Sequence, residues 1–272
     1  MRNATRDLPK LAEALMPVVA RAGDAIMRIY DGAFAVQHKD DNSPLTLADL
    51  ESQRIIAAGL TRLTPDIPIL SEESAQAPWA ERRNWTELWV VDPLDGTREF
   101  VKRNGEFTIN IALVVGHEPL LGIVAAPARG LLYWGAAGVG AFSRHRDAAQ
   151  ASIHIAPPQT PLRVVGSRSH ASAETSSYLA RLGSHVMEGI GSSLKFCLVA
   201  EGKAELYPRF GPTSEWDTAA GQALLEAAGG QVTRLDGHRL RYNCRESVIN
   251  GDFLAFSHPS VLAPGQANPG QT

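Results

Sequence analysis

Three apolar runs in the middle of the chain, Phe107 to Val115, Leu120 to Ala125 and Leu131 to Trp134, are separated only by Gly116 and its neighbours and by the stretch from Pro127 to Gly130. Gaps that short join strands as antiparallel neighbours, whereas a parallel crossover needs a dozen or more residues, so the runs predict a meander. Helical periodicity lies on either side of it. Leu8, Leu11, Leu15, Val18, Ala22, Ile26 and Ile29 recur at three- and four-residue steps, and a second helix runs through Leu47, Leu50, Ile56, Leu60 and Leu63, stopped before Pro65. Two short strands, Ile67 to Leu70 and Leu88 to Val91, each run out into acidic residues. Beyond the meander come a strand near Val164 and helices over Ala173 to Leu182, Leu194 to Ala200 and Trp216 to Ala228, with a last strand around Val248 to Phe256. Strands grouped centrally with helices at both ends predict a layered α+β architecture and not a regular βαβ winding. The polar stretch 259–272, with its prolines and glycines, reads as a disordered tail.

A chain of 272 residues, 44% hydrophobic, is long enough to bury a substantial core. Its 26 Lys and Arg against 29 Asp and Glu leave a net charge of -3, which gives no reason to expect a nucleic-acid polymer as partner and favours a small ligand. Cys197 and Cys244 are too few for a disulfide framework, and a reducing cytoplasm is the simplest setting. Charges at Arg2, Arg6, Asp7 and Lys10 leave no apolar core for a secretory signal, and no apolar run reaches the length of a membrane span. Peripheral contact with the inner membrane is left open.

The chemistry concentrates at Asp92-Pro93-Leu94-Asp95-Gly96-Thr97, where the strand Leu88 to Val91 emerges from the core. Two carboxylates three residues apart on a proline-stiffened turn converge on one point, and the Leu94 carbonyl offers a third hard oxygen. Gly96 permits close backbone approach to an anion, and Thr97 supplies a hydroxyl and an N–H at a helix start. Glu72 and Glu73 follow another strand end, a position equally open to a solvated loop. Asp217 and Asp49 stand three residues after Ser214 and Thr46, a spacing that suits helix capping as well as a site. Acidic residues at four such positions shift the balance toward a cation site. The eight histidines form no H-x-H or H-E-x-x-H pair, so zinc is unsupported and oxygen ligands point to magnesium or manganese. A glycine-rich dinucleotide fingerprint is absent, and Gly202-Lys203 lacks the rest of a P-loop.

The pairing of Asp92-Pro93-Leu94-Asp95-Gly96-Thr97 with Trp216-Asp217-Thr218-Ala219-Ala220 resembles the inositol monophosphatase superfamily. Ser71-Glu72-Glu73, the run Arg103 to Thr108, Ser167-Arg168-Ser169-His170 and the run Gly191 to Cys197 are similar to its bacterial bisphosphate nucleotidase branch, known from sulfate assimilation. The likeness spans Leu8 to Phe256. It implies an αβαβα sandwich of the inositol monophosphatase and fructose-1,6-bisphosphatase type. It also implies a single phosphatase domain over 1–258, with a metal-site half in 1–150 and a substrate-recognition half in 151–258.

The implied reaction is hydrolysis of adenosine 3',5'-bisphosphate, and also 3'-phosphoadenylyl sulfate, with two or three magnesium ions and sensitivity to lithium. Carried over by position, Glu72, Asp92 and the Leu94 carbonyl match the ligands of a first magnesium, and Asp92, Asp95 and Asp217 those of a second. Asp49 and Thr97 match the pair that activates water. Gly96 and Thr97 match the backbone donors to the scissile phosphate. Glu72, Leu94, Asp95 and Asp217 border the substrate in this scheme, with Lys195 and Arg209 for its second phosphate and Ser193 and His170 for nucleotide contacts. Lys195 and Arg209 read equally as surface cations, Ser193 as a helix cap and His170 as a loop residue. Ser71 departs from the glycine common in inositol phosphatases.

Direct attack by water is expected, because no motif pairs a nucleophile with a base. An inositol or sugar phosphatase with the same metal chemistry is the nearest alternative, and a noncatalytic nucleotide sensor the alternative of another class.

Overall fold

The computed structural model describes residues 6–38, 44–167 and 172–266. The first half opens with helix α1 (Leu8–Tyr30), a short hairpin of β1 (Val36–His38) and β2 (Pro44–Thr46), and helix α2 (Leu47–Leu63). Strand β3 (Ile69–Ser71), helix α3 (Trp79–Arg82), strand β4 (Glu87–Asp95) and helix α4 (Thr97–Val101) follow. The meander comes next: β5 (Thr108–Val115), β6 (Glu118–Ala126), β7 (Leu131–Ala136), β8 (Gly140–His145) and β9 (Ala151–Ile153). These strands lie in sequence order in a seven-stranded sheet, β3 to β9, parallel at the β3–β4 edge and antiparallel from β4 onward.

The second half contributes β10 (Leu162–Gly166), α5 (Ala173–Arg181), β11 (His185–Gly189), α6 (Leu194–Ala200), β12 (Leu206–Arg209) and β13 (Thr213–Ser214). It closes with α7 (Glu215–Ala227), β14 (Gln231–Arg234), β15 (Ile249–Asn250) and β16 (Phe253–Phe256). A five-stranded mixed sheet takes the order β11-β10-β12-β16-β14.

Alternation along the buried strands divides the core into layers. Trp89, Val91, Ile109, Ile111, Leu121 and Ile123 face α1 and α2, burying Leu15, Val19, Ile26, Ile56 and Leu60 against one side of the large sheet. Their neighbours Leu88, Val90, Ala112, Val114 and Val124 face the other side, where α6 and α7 fill the space up to Tyr207, Phe253 and Ala255 of the smaller sheet. On the outer face of that sheet, Val164, Leu206, Leu254 and Phe256 pack against Tyr178 and Leu182 at α5. The result is the expected αβαβα layering.

One close approach sets the position of α7. A Cβ on Gly122 of β6 would lie 2.2 Å from the backbone oxygen of Ala220, so the helix rests on the sheet where a side chain is missing.

Two expectations need correction. The stretch after His258 is not a disordered tail throughout: Pro259–Val261 forms a 3₁₀ turn, and Val261 and Ala263 are buried with Tyr178, whose hydroxyl accepts the Ala263 N–H at 3.3 Å. The apolar gain at those two positions holds 259–266 to the fold. The last strand is two, β15 pairing with β13 and β16 lying in the five-stranded sheet, because Gly251 and Asp252 interrupt it. Among the described residues no helix is long and apolar enough to cross a membrane.

Candidate metal centre and active site

Strand β4 does not end at Val91 but continues through the acidic motif as far as Asp95. Asp92 pairs with Asn110 and Asp95 with Thr108, so two residues on β4, Pro93 and Leu94, lie opposite Ile109 alone on β5, which is a β-bulge. Proline has no N–H for the ladder, and the bulge absorbs that loss. The extra residue turns both carboxylates toward the same end of the sheet. The Asp92 Oδ1 accepts the Leu94 N–H at 3.0 Å, and the Pro93 carbonyl accepts the Ser52 hydroxyl at 2.8 Å, which pins α2 to the bulge. Gly96 follows at φ +88, a left-handed conformation that glycine adopts without strain, and α4 starts at Thr97.

Asp217 arrives from the third residue of α7, where Oδ2 accepts the Ser214 N–H at 2.8 Å. Asp49 occupies the same place in α2, with Oδ2 accepting the Thr46 N–H and hydroxyl, each at 2.7 Å, and Oδ1 accepting the Thr97 hydroxyl at 3.1 Å. Capping and participation in the site are therefore not exclusive, since one carboxylate oxygen serves each. The Thr97 hydroxyl also lies 3.3 Å from the Leu94 carbonyl oxygen.

Asp92, Asp95 and Asp217 each bring a carboxylate oxygen within 4.8 Å of the other two. Burial pushes all three above the usual carboxylate range. For Asp92 the next causes are the charges of Glu72, Asp95 and Asp217. Asp217 rises to about 8 through burial and then Asp95, while Asp95 reaches about 6 because Lys195 and the Ser193 N–H oppose the rise. Mutual repulsion in a buried cluster is what a bound divalent cation would relieve, and an all-oxygen donor set suits magnesium or manganese, so these residues fit the expected metal. Glu72 stands beside the cluster at the end of β3, its N–H donating to the Val91 carbonyl at 3.2 Å, without being one of the three that converge.

A cavity of about 330 Å³ opens from Asp95, Gly96 and Asp217 toward Lys195 and Arg209, with Ser193 in its wall. Lys195 is buried; its Nζ donates to the Ile190 carbonyl at 3.2 Å and stands 5.4 Å from the Tyr207 ring centre, and burial lowers its pKa to about 8. Arg209 donates from Nη2 to the Pro212 carbonyl at 2.8 Å, and its buried Nε has no hydrogen-bond partner among the described residues. The Ser193 hydroxyl is taken up by Asn110 Oδ1 at 2.6 Å and Thr108 Oγ1 at 2.8 Å. His170 lies outside the described residues.

Sequence reasoning passed over Asn110 and three residues that line the cavity, Tyr207, Arg98 and Lys102. Asn110 carried a signal: a fully buried amide inside an apolar strand needs partners, and it finds Ser193 and, at 3.4 Å, Asp95.

An αβαβα sandwich in which carboxylates from the end of β4 and the start of α7 converge defines, with the family match below, a metal-dependent phosphatase. The chain belongs to the inositol monophosphatase family, whose sequence signature matches residues 7–264. It is 49% identical over 245 residues to the 3'(2'),5'-bisphosphate nucleotidase CysQ of Salmonella typhimurium, covering 89% of this chain and 98% of that one. The enzyme of the same name from Escherichia coli is also 49% identical, with the same coverage. Among solved structures, CysQ from Bacteroides thetaiotaomicron, described as a bacterial member of the inositol monophosphatase family, superposes with a TM-score of 0.80. That match has 40% identity and covers 91% of this chain and 97% of that one.

Proposed function

We propose that this chain is a magnesium-dependent 3'(2'),5'-bisphosphate nucleotidase that converts adenosine 3',5'-bisphosphate to AMP and phosphate, and accepts 3'-phosphoadenylyl sulfate. The convergence of Asp92, Asp95 and Asp217 beside the Asp49–Thr97 pair carries the reaction type. Identity near one half to enzymes named for this activity, over nearly their whole length, supports the substrate.

In this reading Glu72, Asp92 and the Leu94 carbonyl would hold one magnesium, and Asp92, Asp95 and Asp217 would hold a second. When bound, the cations neutralise phosphate charge and acidify water. The chain's own residues do the rest. The Thr97 hydroxyl receives a proton from the attacking water at Oγ1 and passes its own to Asp49 Oδ1, whose burial raises its basicity. The backbone N–H groups of Gly96 and Thr97, at the start of α4, receive the scissile phosphate. Lys195 and Arg209, which line the same cavity as Asp95 and Asp217, take the second phosphate, with His170 and Ser193 near the nucleoside.

The catalytic unit is a single domain that runs past residue 258 to the buried Ala263, with a metal half before residue 150 and a recognition half after it that also lends Asp217 to the cluster. Attack by water is direct. Ser193, a buried hydroxyl in the cavity wall, is hydrogen-bonded to an amide and a threonine and not to a base.

The deciding experiment compares kcat/KM for adenosine 3',5'-bisphosphate, 3'-phosphoadenylyl sulfate, inositol 1-phosphate and fructose 1,6-bisphosphate. The two nucleotides are expected to lead by a wide margin. A preference for inositol 1-phosphate, or binding without phosphate release, would overturn the assignment.

A further inference from the structure

Two stretches that served in the sequence only to mark the family, Arg103 to Thr108 and Gly191 to Cys197, meet in the fold. Glu106, just before β5, is buried, and both its carboxylate oxygens are engaged. Oε1 accepts from Arg129 Nη2 at 3.0 Å, and Oε2 accepts the Gly191 N–H at 2.8 Å. A Cβ on Gly191 would lie 2.8 Å from the Glu106 carbonyl oxygen, so the two backbones are in direct contact.

Two residues further on, Ser193 completes the contact. Its hydroxyl is bound by Asn110 and Thr108 of β5, and its N–H donates to Asp95 Oδ2 at 2.6 Å. Between them Ser192 has φ +50, a conformation that a serine keeps only where its surroundings impose it. The loop between β11 and α6 is thus where the second half of the chain touches a carboxylate of the metal cluster.

We propose that Glu106 is a positioning residue: by gripping the Gly191 N–H it holds the 191–193 loop in place, so that the Ser193 N–H fixes the Asp95 carboxylate in the orientation that receives the cation. The proposal rests on the reading of Asp95 as a cation ligand. A hydrogen bond to an ionised carboxylate is about twice as strong as one between neutral groups, and here it restrains a loop with an unfavourable residue at its centre. Arg129 takes the other oxygen, so the buried charge is paired on both sides. The Ser193 N–H is the shortest bond to Asp95 Oδ2, with Thr108 Oγ1 and Asn110 Nδ2 each at 3.4 Å, and it restrains the carboxylate as outer partners restrain metal ligands.

Glu106→Asp shortens the side chain by one methylene and withdraws the acceptor from Gly191; Glu106→Gln keeps the length and an acceptor oxygen. Manganese titration of the metal-free protein by calorimetry is the readout, alongside Tm and the magnesium dependence of kcat. Glu106→Asp is expected to weaken manganese binding about tenfold and to shift magnesium half-saturation the same way, with most of the loss recovered in Glu106→Gln. Lower Tm with unchanged manganese affinity in the folded variant would mean a merely structural role and overturn the proposal. Asp95→Asn separates the two ideas. Undiminished manganese binding in that variant removes the ligand reading itself, whereas impaired binding there with none in Glu106→Asp removes only the role of Glu106. Should Glu106→Asp not fold, Arg129→Met, which releases the same carboxylate from the partly exposed side, carries the same expectation and the same contrary result.

Discussion

Thr97 donates its hydroxyl to Oδ1 of Asp49 across 3.1 Å, joining the start of α4 to the start of α2. The other oxygen of that carboxylate is held by Thr46, so Asp49 cannot rotate away from Thr97 without breaking a helix cap. A base whose direction is fixed in advance needs no reorganisation when the proton moves.

Asp49→Asn removes the proposed proton acceptor and is expected to lower kcat by at least about 100-fold with little change in manganese binding. Thr46→Ala removes the hydroxyl that accepts the Ala48 N–H and donates to Asp49 Oδ2, and leaves the Thr46 N–H on that oxygen. It is expected to lower stability by about 1 kcal/mol in urea denaturation while kcat falls far less than in Asp49→Asn. Equal losses of kcat would assign Asp49 to helix capping only.

The metal-free protein should lose stability as pH rises. Unfolded aspartates titrate near about 3.9, whereas burial and mutual repulsion raise Asp92, Asp95 and Asp217 in the fold, Asp217 to about 8. The folded state therefore holds more protons than the unfolded state between those limits, and stability falls with pH across that window. Glu215, raised to about 7 mainly by burial, adds a slope of the same sign. Thermal melts in chelator should give a lower Tm at pH 8 than at pH 6, and saturating magnesium should flatten the slope to the part owed to Glu215 and Asp49, offset toward pH 8 by Lys195, whose lowered pKa acts in the opposite sense. A flat profile without metal would mean the carboxylates do not repel as their positions indicate.

Gly122→Ala places a Cβ 2.2 Å from the Ala220 backbone oxygen, and backbone cannot swing aside as a side chain does. Helix α7 must move off the sheet, carrying Asp217 with it. A loss of ~1–3 kcal/mol in urea denaturation is expected, with weaker manganese binding in calorimetry. Wild-type values for both would mean that the helix does not depend on this contact.

Lys195→Met keeps much of the buried volume and removes the charge. KM for adenosine 3',5'-bisphosphate should rise about tenfold more than KM for inositol 1-phosphate, which has no second phosphate to lose. Equal changes would argue against Lys195 as a phosphate contact.

Local patterns made the helices legible. Periodicity and caps delimit α1, α2, α6 and α7 to within a residue or two, and the acidic motif marks the end of β4. Strands without an apolar run were invisible. β12 carries Pro208 in the interior of a sheet, which argues against a strand by the usual rule, and β11 exposes Val186 and Met187 at a sheet edge. The bulge at Pro93-Leu94 shows only once β5 is paired with β4, because register is a property of two strands. Contacts such as Glu106 with Gly191 join residues 85 apart, and no local pattern encodes them. The burial of Val261 and Ala263 is missed for a related reason: the groove that receives them is built from Tyr178 and its neighbours elsewhere in the chain.

Anomalous diffraction from a crystal of the protein grown with manganese tests the central claim most directly. Peaks are expected in the space bounded by the buried Asp92 and the half-buried Asp95 and Asp217, whose carboxylates each bring an oxygen within 4.8 Å of the others. A map with no peak there, under conditions where the enzyme turns over, would contradict the account.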